Sequence, residues 1–342
     1  MRFALDDDQR AMAATLGDLL DASDTGRIAR QWARGEVDGW WDVWRGLAEL
    51  GVTGLCVPEG SGGLGLGPVE LAVCAEVLGY HALPGPLVES LAFLPTLLAG
   101  SPAEESWLSR VAAGKSLGTA IVADDVPYAL DADQADAVFH CGRFGARRLD
   151  RPGLSRQESV DPARRLFAVH PSGLHEVPCA PAAVGAAFDR AVLACAAYAL
   201  GLGRRMLDVS TRYVTERHQF GRPIGEFQAV KHHLADALLR LEFARPLVWG
   251  ACLSADSGAA CRSRDASAAK LAATEAAHTA ARTALQVHGA IGYTVEHDLH
   301  LWLTKATALR TAWGTPTRHR HRVAESLRDD PDTPVGGSEG SG

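Results

Sequence analysis

The chain has 342 residues, enough for two or three structural units around a substantial buried core. Hydrophobic residues at 47% and charged residues at 22% give the balance of an ordinary soluble globular protein. The formal net charge of −7 argues against a dedicated nucleic-acid surface, which would show as a basic excess.

The seven cysteines (56, 74, 141, 179, 195, 252 and 261) are odd in number and none falls in a CxxC arrangement. They read as reduced thiols of an intracellular protein rather than a disulfide framework or a metal site. The first ten residues, MRFALDDDQR, are acidic and lack the apolar core of a signal peptide. No uninterrupted apolar run reaches ~18 residues, so the sequence predicts no membrane span and a cytoplasmic protein.

Residues 1 to about 110 read as helical. Asp6 to Asp8 open a helix running to about Leu20, where carboxylates complement the positive end of the helix dipole. A second helix covers Gly39 to Leu50, and Gly51 is a natural stop. A short loop leads into the glycine-rich run Gly60 to Gly67. That run invites a phosphate-loop reading, yet it lacks the Gly-Lys-Ser/Thr ending and no convincing strand precedes it. A helix from Pro68 to Leu78 and an apolar segment from Leu83 to Leu98 follow.

From about Lys115 the texture changes. Leu117–Val122, Ala137–His140 and Leu166–Val169 are short β-leaning runs separated by Asp, Gly and Pro, and they predict a small sheet unit ending near Pro178. From Ala186 to Arg328 the pattern is helical again. Val192, Cys195, Ala196, Ala199, Leu202, Met206, Val209 and Tyr213 recur at three- and four-residue spacing. The next helix runs from about Phe227 to Ala255 with Pro246 as an expected kink, and an alanine-rich helix runs from Ser263 to Gln286. His297–Thr311 and the basic segment Arg318–Arg328 close an expected antiparallel four-helix bundle. The tail, Asp329 to Gly342, has the composition of a disordered segment.

Two stretches in the last block concentrate chemistry. Pro223 breaks the helical pattern at Gly221-Arg222-Pro223, and the chain presents Arg217, Gln219 and Phe220 there: a cation, an amide and an aromatic face. Farther on comes Gln286-Val287-His288-Gly289-Ala290-Ile291-Gly292-Tyr293, in which Gly289 and Gly292 permit close approach of a ligand or a partner chain. The first could be a plain helix connection, with Arg217 paired to a carboxylate and Gln286 on a helix surface.

Together, R-x-Q-F-G-x-P-I-x-x-F-Q and Q-x-H-G-x-x-G-Y resemble the acyl-CoA dehydrogenase family. The N-terminal part agrees. Leu47–Glu59 read as L-x-E-L-G-V-x-G-L-x-V-P-E, followed by G-G-x-G and E-x-L-G, is similar to that family's N-terminal helical domain, where the loop lies near the acyl pocket. The resemblance implies a mostly α fold with a small β domain: an N-terminal helical domain over 1–114, a shortened central β domain over 115–179 and a C-terminal four-helix domain over 180–328. The middle departs from the family. Ala123–Tyr128 stands where members carry a Thr-Glu-Pro-x-x-Gly-Ser-Asp-like loop, and the Trp-x-Thr-Asn-like strand has no counterpart.

The resemblance further implies FAD as cofactor and an acyl thioester, on CoA or a carrier protein, as substrate. Arg217, Gln219, Phe220, Gln286, His288, Gly289 and Gly292 would contact the adenosine diphosphate part of an FAD bound mainly by a neighbouring subunit, and Thr315 the flavin of its own chain. Such a protein is a dimer or tetramer, homo- or hetero-oligomeric with a related chain, and an electron-transfer flavoprotein is a possible acceptor.

The reaction needs a carboxylate on one side of the acyl chain and the flavin on the other. Most members place a Glu in a Tyr-Glu-Gly-Thr loop, and the matching positions here are Ala312-Trp313-Gly314-Thr315. Others carry it immediately before an Arg on the first helix of the C-terminal domain, where this chain has Asp189-Arg190. Asp189 is therefore the candidate base, one methylene shorter than Glu; a helix cap or ion pair is the alternative. Arg318–Arg322 either holds a phosphate of CoA or forms a solvated face. The histidines show no metal-ligand spacing. The missing Glu and shortened middle resemble the degenerate subunits of heteromeric actinobacterial members, in which two chains share each FAD. Three readings stay open: a dehydrogenase, a non-catalytic partner that lends FAD contacts, and a scaffold repurposed for non-redox chemistry.

Overall fold

A computed structural model describes residues 4–329 except 124, 143, 144, 150, 172, 178–180 and 295. Cys179, Asp124 and the tail from residue 330 therefore lie outside the described residues.

The N-terminal helices are α1 (Asp7–Asp21), α2 (Thr25–Arg34), α3 (Asp38–Glu49), α4 (Pro68–Tyr80), α5 (Leu94–Leu98) and α6 (Glu105–Ala112). Asp6 caps α1 by accepting from the Gln9 amide, and the Gln9 side chain returns the bond. Helix α2 was not foreseen, because its flanks are polar and its buried face is narrow: Ile28, Ala29 and Trp32. Asp24 starts it and Gly35, at φ +83°, ends it. Trp32, Trp40 and Trp44 form the aromatic centre of this part, with Trp40 and Trp44 stacked at 5.3 Å.

The glycine run is a close-packed turn. A Cβ on Gly63 would stand 2.1 Å from the Val57 carbonyl oxygen, and Leu64, Gly65 and Leu66 donate back to Gly54, Val57 and Leu55. Its backbone donors are used internally, which removes the phosphate-loop alternative.

Seven strands follow: β1 (Gly118–Val122), β2 (Ala129–Leu130), β3 (Ala137–Gly142), β4 (Gly145–Leu149), β5 (Gly153–Gln157), β6 (Leu166–His170) and β7 (Leu174–Val177). One sheet has the order β1-β3-β4-β7, parallel only between β1 and β3; the other has the order β2-β6-β5. Strands β4 and β5, with Arg147, Arg148 and Arg156, are too polar to show a β pattern.

The remainder comprises α7 (Pro181–Glu216), a small hairpin of β8 (His218–Gln219) and β9 (Arg222–Pro223), α8 (Gln228–Asp256), α9 (Arg262–His288), α10 (Leu299–Leu309) and α11 (Pro316–Arg328). Alanines at 266, 269, 273, 277, 280 and 284 line the buried face of α9 and admit α7, α8 and α11 at close range. Pro246 sits within α8, which continues on both sides of it. Helix α7 is long and apolar enough to cross a membrane by composition, but 78% of its apolar window is buried inside the protein. One continuous core joins the N-terminal helices to the bundle, and a smaller cluster around Ile121, Val138 and Phe167 serves the sheets.

Candidate functional site

The end of the bundle brings the two sequence motifs together. Tyr213, on the last turn of α7, stacks on His288, at the end of α9, with ring centroids 4.2 Å apart. Arg217 and Gln286 flank that stack in sequence, and both side chains are exposed. Among the described residues Arg217 has no ion pair and Gln286 no side-chain hydrogen bond. Between β8 and β9 the tip is Phe220-Gly221, with φ +53° and +79°, and Gln219 pairs with Arg222. The tip holds Phe220 90% exposed. Gln219 is exposed beside it.

His288 lies inside this end rather than on it. Its Nδ1 is 2.8 Å from the Ala284 carbonyl, His297 meets its ring edge-on, and its Nε2 is enclosed without a partner among the described residues. Burial pushes its pKa below the usual imidazole range, against the pull of the Ala284 carbonyl. Gly289 adopts φ +60° with open space where a side chain would be, whereas a Cβ on Gly292 would crowd His288 at 3.1 Å. Gly292 is thus a packing position and Gly289 an open one.

A second site is a cleft of about 390 Å³ between the bundle and the sheets. Glu89, Arg164, Tyr128, Val160, Trp313 and Thr315 line it. Thr315 caps α11 by accepting from the Arg318 amide at 3.2 Å. Trp313, at φ +56°, is buried between Phe93 and Phe188. Arg318 does not meet a ligand in isolation: it pairs with Asp125 at 3.1 Å and ties α11 to the sheet unit.

Asp189 is buried with both carboxylate oxygens engaged. Ser263 donates to Oδ2, and Arg322 pairs with Oδ1 at 2.5 Å. Arg322 also donates to Ser267 Oγ at 3.0 Å, and Ser267 meets His319 Nδ1 at 3.2 Å. His319 Nε2 in turn lies 2.9 Å from the Trp313 carbonyl. Burial, helped by Lys270, pushes the His319 pKa down to about 4, so the ring is neutral near pH 7. Neither carboxylate position suggested by the family pattern therefore presents a free carboxylate to the cleft.

Glu89 was missed by sequence reasoning. It opens a turn of π-helix over Glu89–Phe93, inside an apolar segment that looked like plain core. It is 2% exposed, its Oε2 has no hydrogen-bond partner among the described residues, and burial pushes its pKa up to about 7 against the pull of Arg164. The one available signal was a lone acid inside an apolar run.

Helices followed by a small sheet unit and then a helical bundle are the fold of acyl-CoA dehydrogenases. The chain belongs to the acyl-CoA dehydrogenase family. Residues 6–115 match the N-terminal domain of acyl-CoA dehydrogenases and residues 182–328 match the C-terminal domain. It is 32% identical over 290 residues to the acyl-CoA dehydrogenase IpdE2 of Mycobacterium tuberculosis, covering 84% of this chain and 87% of that one. Its fold is shared with a chain of the ChsE4-ChsE5 complex from Mycobacterium tuberculosis, at a TM-score of 0.84 and 23% identity, over 97% of this chain and 100% of that one. Butyryl-CoA dehydrogenase from Megasphaera elsdenii also shares it, at a TM-score of 0.79 and 21% identity, covering 96% and 100%.

Proposed function

We propose that this chain is a subunit of an FAD-dependent acyl-CoA dehydrogenase, assembled with a related chain that supplies the catalytic base. The observation that carries the reading is the state of the two expected carboxylate positions: one is Trp313, and the other, Asp189, is held by Ser263 and Arg322. A carboxylate whose oxygens are both occupied in a buried ion pair is a poor proton acceptor, and freeing it would strand the Arg322 charge.

The bundle end fits the adenosine diphosphate end of FAD. Among the described residues Arg217 offers unpaired guanidinium donors, Gln286 an amide, and Phe220 a ring that stands 90% exposed. Gln219 and the open backbone at Gly289 extend the same surface, while His288 and Gly292 hold it in shape. Thr315 would border the flavin in the cleft of its own chain. FAD held by these residues would supply the hydride acceptor for the acyl chain. A row of exposed apolar side chains on α8, with Leu239 and Leu247 flanking Phe243 at 72% exposure, supports burial of this face against a second chain. On this reading the protein is cytoplasmic and acts on a thioester of CoA or a carrier protein. An electron-transfer flavoprotein receives the electrons, and the division is the one at about residues 114 and 180.

The test is to purify the chain alone and together with its genomic neighbour, measure bound flavin, and add acyl-CoA. Flavin that is retained and bleached only in the joint preparation supports the reading. A yellow chain that bleaches by itself would show a self-sufficient enzyme, and a colourless chain that turns over a thioester would show non-redox chemistry.

A further inference from the structure

Glu89 and Arg164 face the same cleft, each with polar atoms that find no hydrogen-bond partner among the described residues. Glu89 Oε2 is buried without a partner, and among the described residues Arg164 forms neither an ion pair nor a side-chain hydrogen bond. The two, with Leu130, also line a second void of about 20 Å³, which Tyr198 and Lys305 border as well. Lys305 pairs with Asp161 at 3.0 Å and the Tyr198 hydroxyl donates to the Leu83 carbonyl at 2.7 Å, and neither is hydrogen-bonded to Glu89 Oε2. A buried polar atom left unpaired lowers stability, a cost that persists at sites which a ligand completes.

We propose that Glu89 and Arg164 form a polar subsite at the inner end of the cleft, which receives a ketone or hydroxyl oxygen carried on the acyl chain. This rests on the acyl-thioester reading above and adds the class of acyl group: oxygenated rather than plainly aliphatic. Trp313 supplies the apolar wall beside the subsite, and its side chain also interacts with the Glu89 carboxyl. The charged and titratable groups facing Glu89 are Arg164, ahead of β6, and Asp131, after β2; Lys305 reaches the shared void from α10. Below its pKa of about 7 the carboxyl donates a hydrogen bond to a ketone, and above it cannot.

The experiment is calorimetric titration of the co-purified assembly with 4-oxopentanoyl-, 6-oxoheptanoyl- and 8-oxononanoyl-CoA, each against its unsubstituted counterpart. At least one oxo ester should bind about tenfold more tightly than its counterpart at pH 6.5, the worth of one well-made hydrogen bond to a buried group. That advantage should shrink at pH 8.5 in the natural protein and stay level with pH in Glu89→Gln, whose amide donates at both. Glu89→Leu should lose it while still binding the unsubstituted ester. Equal affinities at all three lengths, or a preference that survives in Glu89→Leu, would overturn the subsite. Failure of every ester to bind would instead overturn the acyl-thioester reading, and the subsite with it.

Discussion

Asp189 and Trp313 stand at the two ends of one hydrogen-bonded chain. It runs from Asp189 through Arg322, Ser267 and His319 to the Trp313 carbonyl. The chain explains a tautomer: His319 Nε2–H donates to the carbonyl, leaving Nδ1 to accept from Ser267. It also explains a glycine, since a Cβ on Gly314, at φ +99°, would stand 2.8 Å from His319 Nε2. A buried carboxylate on α7 thereby sets the shape of the loop that walls the cleft.

Removing the Asp189 charge should therefore weaken the fold. Asp189→Asn leaves Arg322, only 16% exposed, without its counter-charge, at an expected cost of about 3 kcal/mol in a urea titration. Replacing both partners, Asp189→Leu with Arg322→Met, should recover most of that loss, because no stranded charge remains. An Asp189→Asn protein of natural stability whose assembly has lost turnover would restore Asp189 as the base.

The bundle and both motifs were legible because they are written in periodicity and in punctuation by Gly and Pro. The α7 stripe from Val192 to Met206 is buried as its spacing requires, and the break at Pro223 is a real turn. What was not legible is what lies between elements far apart in sequence. The separation of Asp189 from Arg322 hid the ion pair, so the carboxylate looked available. Glu89 sat in an apolar run, and only the fold shows that the run meets Trp313 and Arg164. Strand β4 escaped because its cross-strand pairs, such as Arg147 with Glu176, are charged.

Two buried groups should give opposite pH slopes. His319 is depressed to about 4 from 6.5, so the unfolded chain binds the extra proton between those values and the natural protein gains stability as pH rises through them. Glu89 is raised to about 7 from 4.5, so the native state binds the extra proton there and stability is lost as pH rises. Each effect is on the order of 3 kcal/mol at 1.36 kcal/mol per pH unit. Measured against the natural protein from pH 4.5 to 6.5, His319→Asn should fall behind and Glu89→Gln should gain. Parallel profiles for all three would show that neither group titrates differently on folding.

The crossing of α4 and α7 should be intolerant of a single methyl group. A Cβ on Gly79 would lie 2.0 Å from the Tyr198 carbonyl oxygen, and one on Gly201 would lie 1.9 Å from that of Glu76. Both obstacles are backbone, so the helices must separate. Gly201→Ala should cost at least the ~1–3 kcal/mol typical of overpacking. Gly17→Ala in α1, where nothing stands within 4 Å, should instead be neutral or stabilising by up to ~1 kcal/mol. Similar midpoints for the two variants would count against the close crossing.

Phe220 sets local strain against binding. A bulky residue at φ +53° costs about 1–2 kcal/mol relative to one that accepts the left-handed region, and the two-residue turn it forms with Gly221 favours Asn at this position. Among the described residues its ring meets Phe227 edge-on, with centroids 6.2 Å apart, and it is 90% exposed. On the proposed reading, a residue that strains its turn and buries almost nothing within its own chain is covered at the cofactor surface of the assembly. Phe220→Asn should therefore leave the isolated chain as stable or slightly more so. The assembly should lose flavin about tenfold more readily, the worth of one aromatic packing contact. Flavin retention equal to that of the natural assembly, read from absorbance after dialysis, would remove Phe220 from the cofactor surface.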